Sequence, residues 1–587
     1  MIFPKKEITA DVFSDERTEE MECSIWNANF RQFVKTNFLI IFNKYLELIC
    51  KTINGQILGI DQIQDFQENP KTIINLEKIQ HLRWFGQYGQ NNKKIGNWSA
   101  RWKGLILEEV GGNYSELGLK QGLWKEPIPC YCSHGQVYEV GEYLDDQKIG
   151  LWRSIFEDEV IGYGQYDKQS NKIGKWTEIT NNFWELNQVT FCGEYQNGKK
   201  IGKWDTYLRI KGQDQLFEHL GGGSYDENGD GQKIGMWIEL SDEFYEDNQV
   251  SFKGEYQKDA KIGRWNTYLK FDGNNEVIGG GVYDQQERNQ KVGKWIELCE
   301  GFNEKSQIII EGEYRKGVKV GRWNTYFKFN GKNEQIGGGI YDWRENGQKI
   351  GKWIELSYET FRSRYIQVIY SGEYINGLKV GQWNAHFRDR VLNKEFKLIG
   401  GGQYDEESPD VKVGKWVELS KNFGDGLGQS QIIYIGEYKS GQKFGLWDIF
   451  WEVDLKRKKR EWLGGGLYDG FGRKVGIWVE VCDWFYDWKQ VKYQGEYKDG
   501  KKIKFWYNYW RERGENKVFE KIGGGSYDEN VEGQKNGQWI DLSEDFYDRN
   551  QYIYDGSYNN GRKVGIWYEM KRFWKSGFLK TQAQLWE

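Results

Sequence analysis

Residues 307–323 read "QIIIEGEYRKGVKVGRW", with apolar and polar positions alternating on either side of a short polar break. Side chains alternate across a strand, so a period of two predicts a β-hairpin whose turn holds Gly317, a residue free to take a positive φ. With Arg315–Val318 as the loop, Tyr314 faces Lys319, Gly312 faces Gly321 and Ile310 faces Trp323. Ile310, Gly312, Tyr314, Gly321 and Trp323 then share one face. The glycines leave a hollow across which the two rings can lie, a pairing that rescues glycine in a strand. Glu311, Glu313 and Arg322 fall on the opposite face, toward solvent.

The same pattern returns along the chain in two alternating forms. Form A is G-E-Y, a short polar turn, then K-x-G-x-W, as in "GEYQNGKKIGKW" at 193 and "GEYKSGQKFGLW" at 436. Form B is G-G-G-x-Y-D, a longer turn, then K-x-G-x-W-[IV]-E, with Tyr225, Tyr283, Tyr341, Tyr404, Tyr468 and Tyr527 as its tyrosines and a looser copy at Tyr166. Degenerate copies stand at Tyr88 and Tyr114. In two successive units the marker residues are Tyr256 and Trp265, then Tyr283 and Trp295. Polar turns such as "DGNN" in "KFDGNNEVIGGG" make the links hairpins too. A lone hairpin is marginal in water, whereas stacked hairpins bury a continuous aromatic core. The fold class expected is all-β, an elongated meander or solenoid of stacked β-hairpins with a small N-terminal helical segment.

That helical segment is expected in "NFRQFVKTNFLIIFNKYLELIC", where Phe30, Phe33, Val34, Phe38, Ile41, Phe42, Tyr45 and Ile49 recur at helical spacing. It either caps the array or docks a partner. The organisation read from the chain is a non-repeat cap over 1–83, a repeat array over 84–570 and a C-terminal cap over 571–587.

Composition changes this picture little. Glycine is abundant, at 74 of 587 residues, but proline numbers only 5 and aromatics reach 17%, so the chain can bury enough area to fold. The formal net charge of −5 gives no reason to expect a nucleic-acid partner. The seven cysteines do not track the repeat, which argues for free thiols and a reducing compartment. No secretory leader is evident at the N-terminus, and the longest apolar run, "FLIIF", is too short to cross a bilayer. A cytoplasmic protein is expected.

"GEYxNGxKxGxW" resembles the MORN repeat family, in a variant with a terminal tryptophan typical of protist repeat proteins, over roughly residues 84–570. The resemblance implies a scaffold or adaptor, often at membranes or cytoskeleton, with no catalytic residues and no cofactor. Longer links, Lys504 in place of the second glycine and Ser557 in place of the repeated Glu depart from the family unit.

Several local patterns bear on chemistry. "DENGDGQ" at 226–232 imitates half of a calcium loop but has Trp237 where a bidentate Glu belongs, so it reads as a turn. "CYCSH" (Cys130, Cys132, His134) offers three metal ligands without a matching pair. The G-G-G stretches lack the G-K-[ST] and helix of a phosphate loop. No metal, cofactor or catalytic set is expected, and the chain reads as not an enzyme. Two candidate partner surfaces stand out. One is the phenylalanine in each long B loop (Phe183, Phe244, Phe302, Phe361, Phe423, Phe485, Phe546), either a loop anchor or an aromatic ridge for a protein partner. The other is the basic run Lys456, Arg457, Lys458, Lys459, Arg460, either a hairpin tip or a patch for an acidic partner or acidic lipid. The expected function is a scaffold binding proteins along its loop edge, with acidic-lipid binding or an aromatic cage for choline or glycan as alternatives.

Overall fold

A computed structural model of the chain describes residues 17–586 except 28–31, 43–46, 53–56, 63–74, 90–92, 210–216, 246–247, 272, 288, 300–301, 304–305, 330, 345, 358–365, 390–394, 422, 425–429, 455–458, 515–516, 530–532, 544–545 and 574–576. Two compact units divide it, Met1–Lys261 and Ile262–Glu587. Both are built almost wholly of antiparallel strands.

The first unit begins with four strands, Arg17–Asn27, Gln32–Phe42, Glu47–Thr52 and Ile57–Gln62, paired in chain order. The helix expected over 30–49 is therefore corrected to two strands of this sheet. Its apolar residues are β-branched and aromatic, which favours a pleated surface over a helix. Burial follows period two at Phe38 and Ile40, both fully buried, with Asn37 exposed and bonded to Glu20 across the strands at 2.8 Å. Phe30 and Tyr45 lie outside the described residues, as do the side chains of Phe33, Val34, Phe42 and Ile49. The helix among the described residues is Leu76–His81, capped by the Asn75 side chain on the amides of Glu77 and Lys78. It seats on the first long loop: Lys78 donates to the carbonyls of Pro127 and Ile128 at 3.1 and 2.9 Å, and Asn75 to that of Tyr131 at 2.7 Å. From Leu82–Tyr88 onward each strand pairs with the next, to Gln249–Gln257. In the second unit the same meander continues strand by strand to Gly577–Trp586.

One hairpin of the second unit shows why the sequence repeats. Strands Gln307–Arg315 and Val318–Phe329 meet with Arg315 opposite Val318, so the loop is only Lys316 and Gly317, both at positive φ (48° and 76°). That pair of left-handed residues is the turn whose twist matches the strands. Tyr314 stands opposite Lys319, but the register then slips: Glu311 pairs with Asn324 and Ile310 with Thr325. The expected pairings of Gly312 with Gly321 and of Ile310 with Trp323 are corrected accordingly. Gly321, at φ 62°, bends its strand into a bulge. The slip carries the Trp323 indole onto Gly312, where a Cβ would sit 2.2 Å from ring atom Cδ2. The next seam repeats the device, with Trp353 over Gly339.

On this face the rings form a ladder. Tyr283, Trp295, Tyr314, Trp323 and Tyr341 follow one another at centroid distances of 5.0, 6.0, 5.2 and 6.1 Å, each pair near-perpendicular. Edge-to-face contacts of this kind add about 0.5–1.5 kcal/mol each beyond the area they bury. Nearer the long loops, a second core gathers Ile432, Ile449, Trp451, Leu463, Phe485, Val491, Trp510, Phe546 and Ile553.

Candidate functional site

The ladder is threaded by a carboxylate in every B unit. In K-x-G-x-W-[IV]-E, the glutamate lies two residues past the tryptophan and so returns to the ladder face. Glu297 binds Lys291 of its own strand, Lys319 of the hairpin that follows, at 2.9 Å, and the Tyr314 hydroxyl, which donates to it at 2.8 Å. The two ammonium groups also lie against rings, Lys291 4.6 Å from the Trp295 centroid and Lys319 4.0 Å from that of Trp323. The same set recurs at Glu355 (Lys349, Lys379, Tyr374), Glu418 (Lys412, Lys443, Tyr438) and Glu480 (Lys474, Lys502, Tyr497). In the first unit it recurs at Glu178 and Glu239. Asp541 serves Lys535 at 2.6 Å and Tyr558 at 2.7 Å.

The first full copy departs. Lys148 turns to Glu139 at 2.5 Å, leaving Glu126 with Lys120 and Tyr143. Glu139 occupies the position held by Phe191, Phe252, Ile310 and Tyr370 in later copies. Beside it lies a cavity of about 220 Å³ whose lining includes Glu139, Lys148, Trp152, Lys172 and Glu178.

Burial alone would push these carboxyls up. The paired lysines and their hydrogen bonds outweigh it and hold Glu178, Glu239, Glu297, Glu355 and Glu418 below the usual range, and Glu480 at about 2. An unfolded glutamate near 4.5 then binds more protons than the folded one between the two values, so stability rises with pH across that window. The Glu480 cluster contributes fully above about pH 4.5, and its contribution is lost as pH falls through about 2; the other clusters shift in the same direction. Urea titrations at stepped pH are expected to show the midpoint falling steeply from pH 4.5 toward 2; a flat profile over that window would contradict the assignment.

Of the residues singled out in sequence, Gly312, Tyr314, Trp323, Tyr283 and Trp295 meet in one stretch of ladder, and Tyr256 and Trp265 take the same roles in their own units. Gly321 serves the bulge instead. Because lysines lie against these rings, an aromatic cage for choline or glycan finds those faces occupied. The aromatic-ridge reading of the loop phenylalanines is corrected: Phe183, Phe244, Phe302, Phe423, Phe485 and Phe546 are 0–5% exposed, and each that closes a short turn does so with its amide on the carbonyl three residues before. Phe361 lies outside the described residues. Buried rings of this kind anchor loops and present no ridge. In the basic run, Arg460 is committed to the buried Glu452, which narrows the acidic-partner patch; Lys456, Arg457, Lys458 and the Lys459 side chain lie outside the described residues.

The remaining motifs lie in turns. Asp226 accepts the Gln232 amide at 2.7 Å, as a turn requires. Burial raises the thiols of Cys130 and Cys132 to about 11 and about 12, and the turn they occupy receives the N-terminal helix. The glutamate of the B motif was missed as a site residue. Its signal was present: a lysine always six residues before it.

No protein-family model matches the chain, and no curated protein matches it. Among solved structures it is similar to Penicillium chrysogenum alpha-L-arabinanase complexed with arabinobiose, at 10% identity and a TM-score of 0.17, covering 60% of this chain and 97% of that one. The expectation that the chain is not an enzyme is withdrawn, the matched structure being named as that of an arabinanase. A TM-score of 0.17 carries no argument about a reaction, a substrate or a fold shared with it.

Proposed function

We propose that the chain is a repeat scaffold of the MORN kind, a solenoid of stacked hairpins that holds other proteins on its long B loops, in the cytoplasm. The observation that carries this reading is the contrast between a uniform interior and variable loop tips. The anchoring phenylalanine is buried in each described loop, while the two residues before it change from Asn181-Asn182 to Asp242-Glu243 to Asp483-Trp484. Loops fixed by a rigid frame and free to vary at the tip are the usual carriers of specificity. An anchored loop also loses less conformational entropy on binding than a mobile one. The partner class expected is protein, cytoskeletal or membrane-associated. To test it, the tip pairs are exchanged between loops, with every phenylalanine kept, and affinity capture is compared with that of the native chain. A partner held by the native chain and lost on exchange supports the reading. A partner held equally by both places recognition elsewhere and overturns it.

A further inference from the structure

We propose that the cavity beside Glu139 is a binding site for a small zwitterion, a free α-amino acid, held between the Glu139 carboxylate and the ammonium groups of Lys148 and Lys172. The cavity exists because the first full repeat breaks the pattern of those that follow. At the position of Glu139 the next repeat has Phe191, which packs against the ladder at Trp176, Tyr195 and Trp204 and against the loop core at Val189, Leu208 and Phe244. Phe191 thus closes the gap between ladder and loops. Glu139 lacks that bulk, and the residue opposite it is Ser154, where Thr206 stands opposite Phe191. The replacement also carries a cost. Glu139 lies directly across the strands from Glu126, and like charges so placed are unfavourable.

The charges of the lining specify the occupant. Lys200 and Lys261, at the positions that match Lys148, bind the glutamate of the B unit before them, whereas Lys148 binds Glu139 at 2.5 Å. Glu178, which also lines the cavity, is held by Lys172, Lys200 and the Tyr195 hydroxyl. Among the described residues Glu139 has Lys148 alone, on Oε2, which leaves Oε1 to accept from an occupant. The Lys148 ammonium has three N–H groups and so can donate to a second acceptor as well. The lysines lie against the rings, Lys148 4.0 Å from the Trp152 centroid and Lys172 4.4 Å from that of Trp176, so recognition here is by charge and not by stacking. Glu139 and Glu178 are set against Lys148, Lys172 and the exposed Arg153. A purely cationic or purely anionic ligand would meet a like charge in such a lining, whereas a zwitterion finds an opposite charge for each of its ends. Ser154 and Tyr166 add hydroxyls, and Ile128, Pro129 and Ile179 add apolar surface for a side chain. A cavity of about 220 Å³ has the room of roughly seven waters, which suits about seven to ten non-hydrogen atoms, the size of an amino acid with a short apolar side chain. This inference does not depend on whether the loops hold a protein.

The test is calorimetric titration of the full chain with each free L-amino acid in turn. At least one with a short apolar side chain is expected to bind with a Kd below about 1 mM. Its amide, which lacks the carboxylate, and its des-amino acid, which lacks the ammonium, are each expected to bind at least about tenfold more weakly, the usual worth of a hydrogen bond to a charged group. Glu139→Phe restores the residue type of Phe191 and Phe252, so it is expected to fold and, by filling the cavity, to abolish binding. Glu139→Gln keeps the cavity but not the charge and is expected to cost at least about tenfold in affinity. Unchanged hydrogen exchange in the interior strands of the variants shows that they fold. Absence of binding by every amino acid at about 10 mM would overturn the proposal. So would an amide held as tightly as its parent acid, or binding that either substitution leaves intact.

Discussion

Gly312→Val is expected to destabilise the second unit by about 3–5 kcal/mol, the cost of unseating a fully buried tryptophan. The first added carbon already falls 2.2 Å from Cδ2 and 2.3 Å from Cε2 of Trp323, so the ring must leave its place. Trp323 is 3% exposed and stands between Tyr314 and Tyr341 at 5.2 and 6.1 Å, and Lys319 lies against it. All of these contacts go together. Since each hairpin touches mainly its neighbours, the loss is expected to stay local. Hydrogen exchange in the full chain should accelerate across 291–341 and remain slow across 490–511. Uniform acceleration would mean that the unit unfolds as one body; no acceleration would mean that the indole does not rest on Gly312. Alanine at the same position is expected to be nearly as damaging, because the clash begins at Cβ.

Glu480→Ala is the second large effect, about 2–4 kcal/mol, somewhat below the cost of breaking a fully buried ion pair from one side because the cluster is half-buried. The substitution leaves the Lys474 and Lys502 ammonium groups and the Tyr497 hydroxyl without the carboxylate that holds all three. Burial already disfavours the charged form of Lys502. Glu480→Asp should recover most of the loss, because Asp541 performs the same task for Lys535 and Tyr558 in the next repeat. Glu480→Gln keeps the volume but not the charge, and should fall between the two. Urea midpoints near neutral pH read the series directly, with order native, Asp, Gln, Ala. The spread among them should narrow below about pH 2, where Glu480 itself is protonated.

Much of this architecture was legible in the chain because glycine and the aromatic residues mark it at fixed intervals. The strand character of "QIIIEGEY" and the position of the turn at Gly317 follow from period two and one flexible residue. The register past Tyr314 did not follow, because the slip depends on Gly321 taking a left-handed conformation, and a glycine in a strand is equally consistent with flat pairing. The N-terminal strands were read as helix for a related reason. In "FVKTNFLIIF" helical spacing and strand alternation select overlapping residues, and only burial at Phe38 and Ile40 separates them. The loop phenylalanines were visible as a row, but which way a loop residue points is a matter of tertiary packing. The Lys-Glu-Lys-Tyr cluster hid in plain view. Its lysine six residues upstream is local, whereas Lys319 and Tyr314 come from the next hairpin and meet Glu297 only once the sheet has formed.

The charge-and-ring interior repeats while the loop tips change, and the proposed reading puts partner contacts on those tips. The most direct test of that account is cross-linking of the native full-length chain with its captured partner, followed by mapping of the linked residues. The account predicts links concentrated in the long B loops, around 180–188, 241–249 and 482–490. Links confined to the outer strand faces, with the loops unmodified, would contradict it.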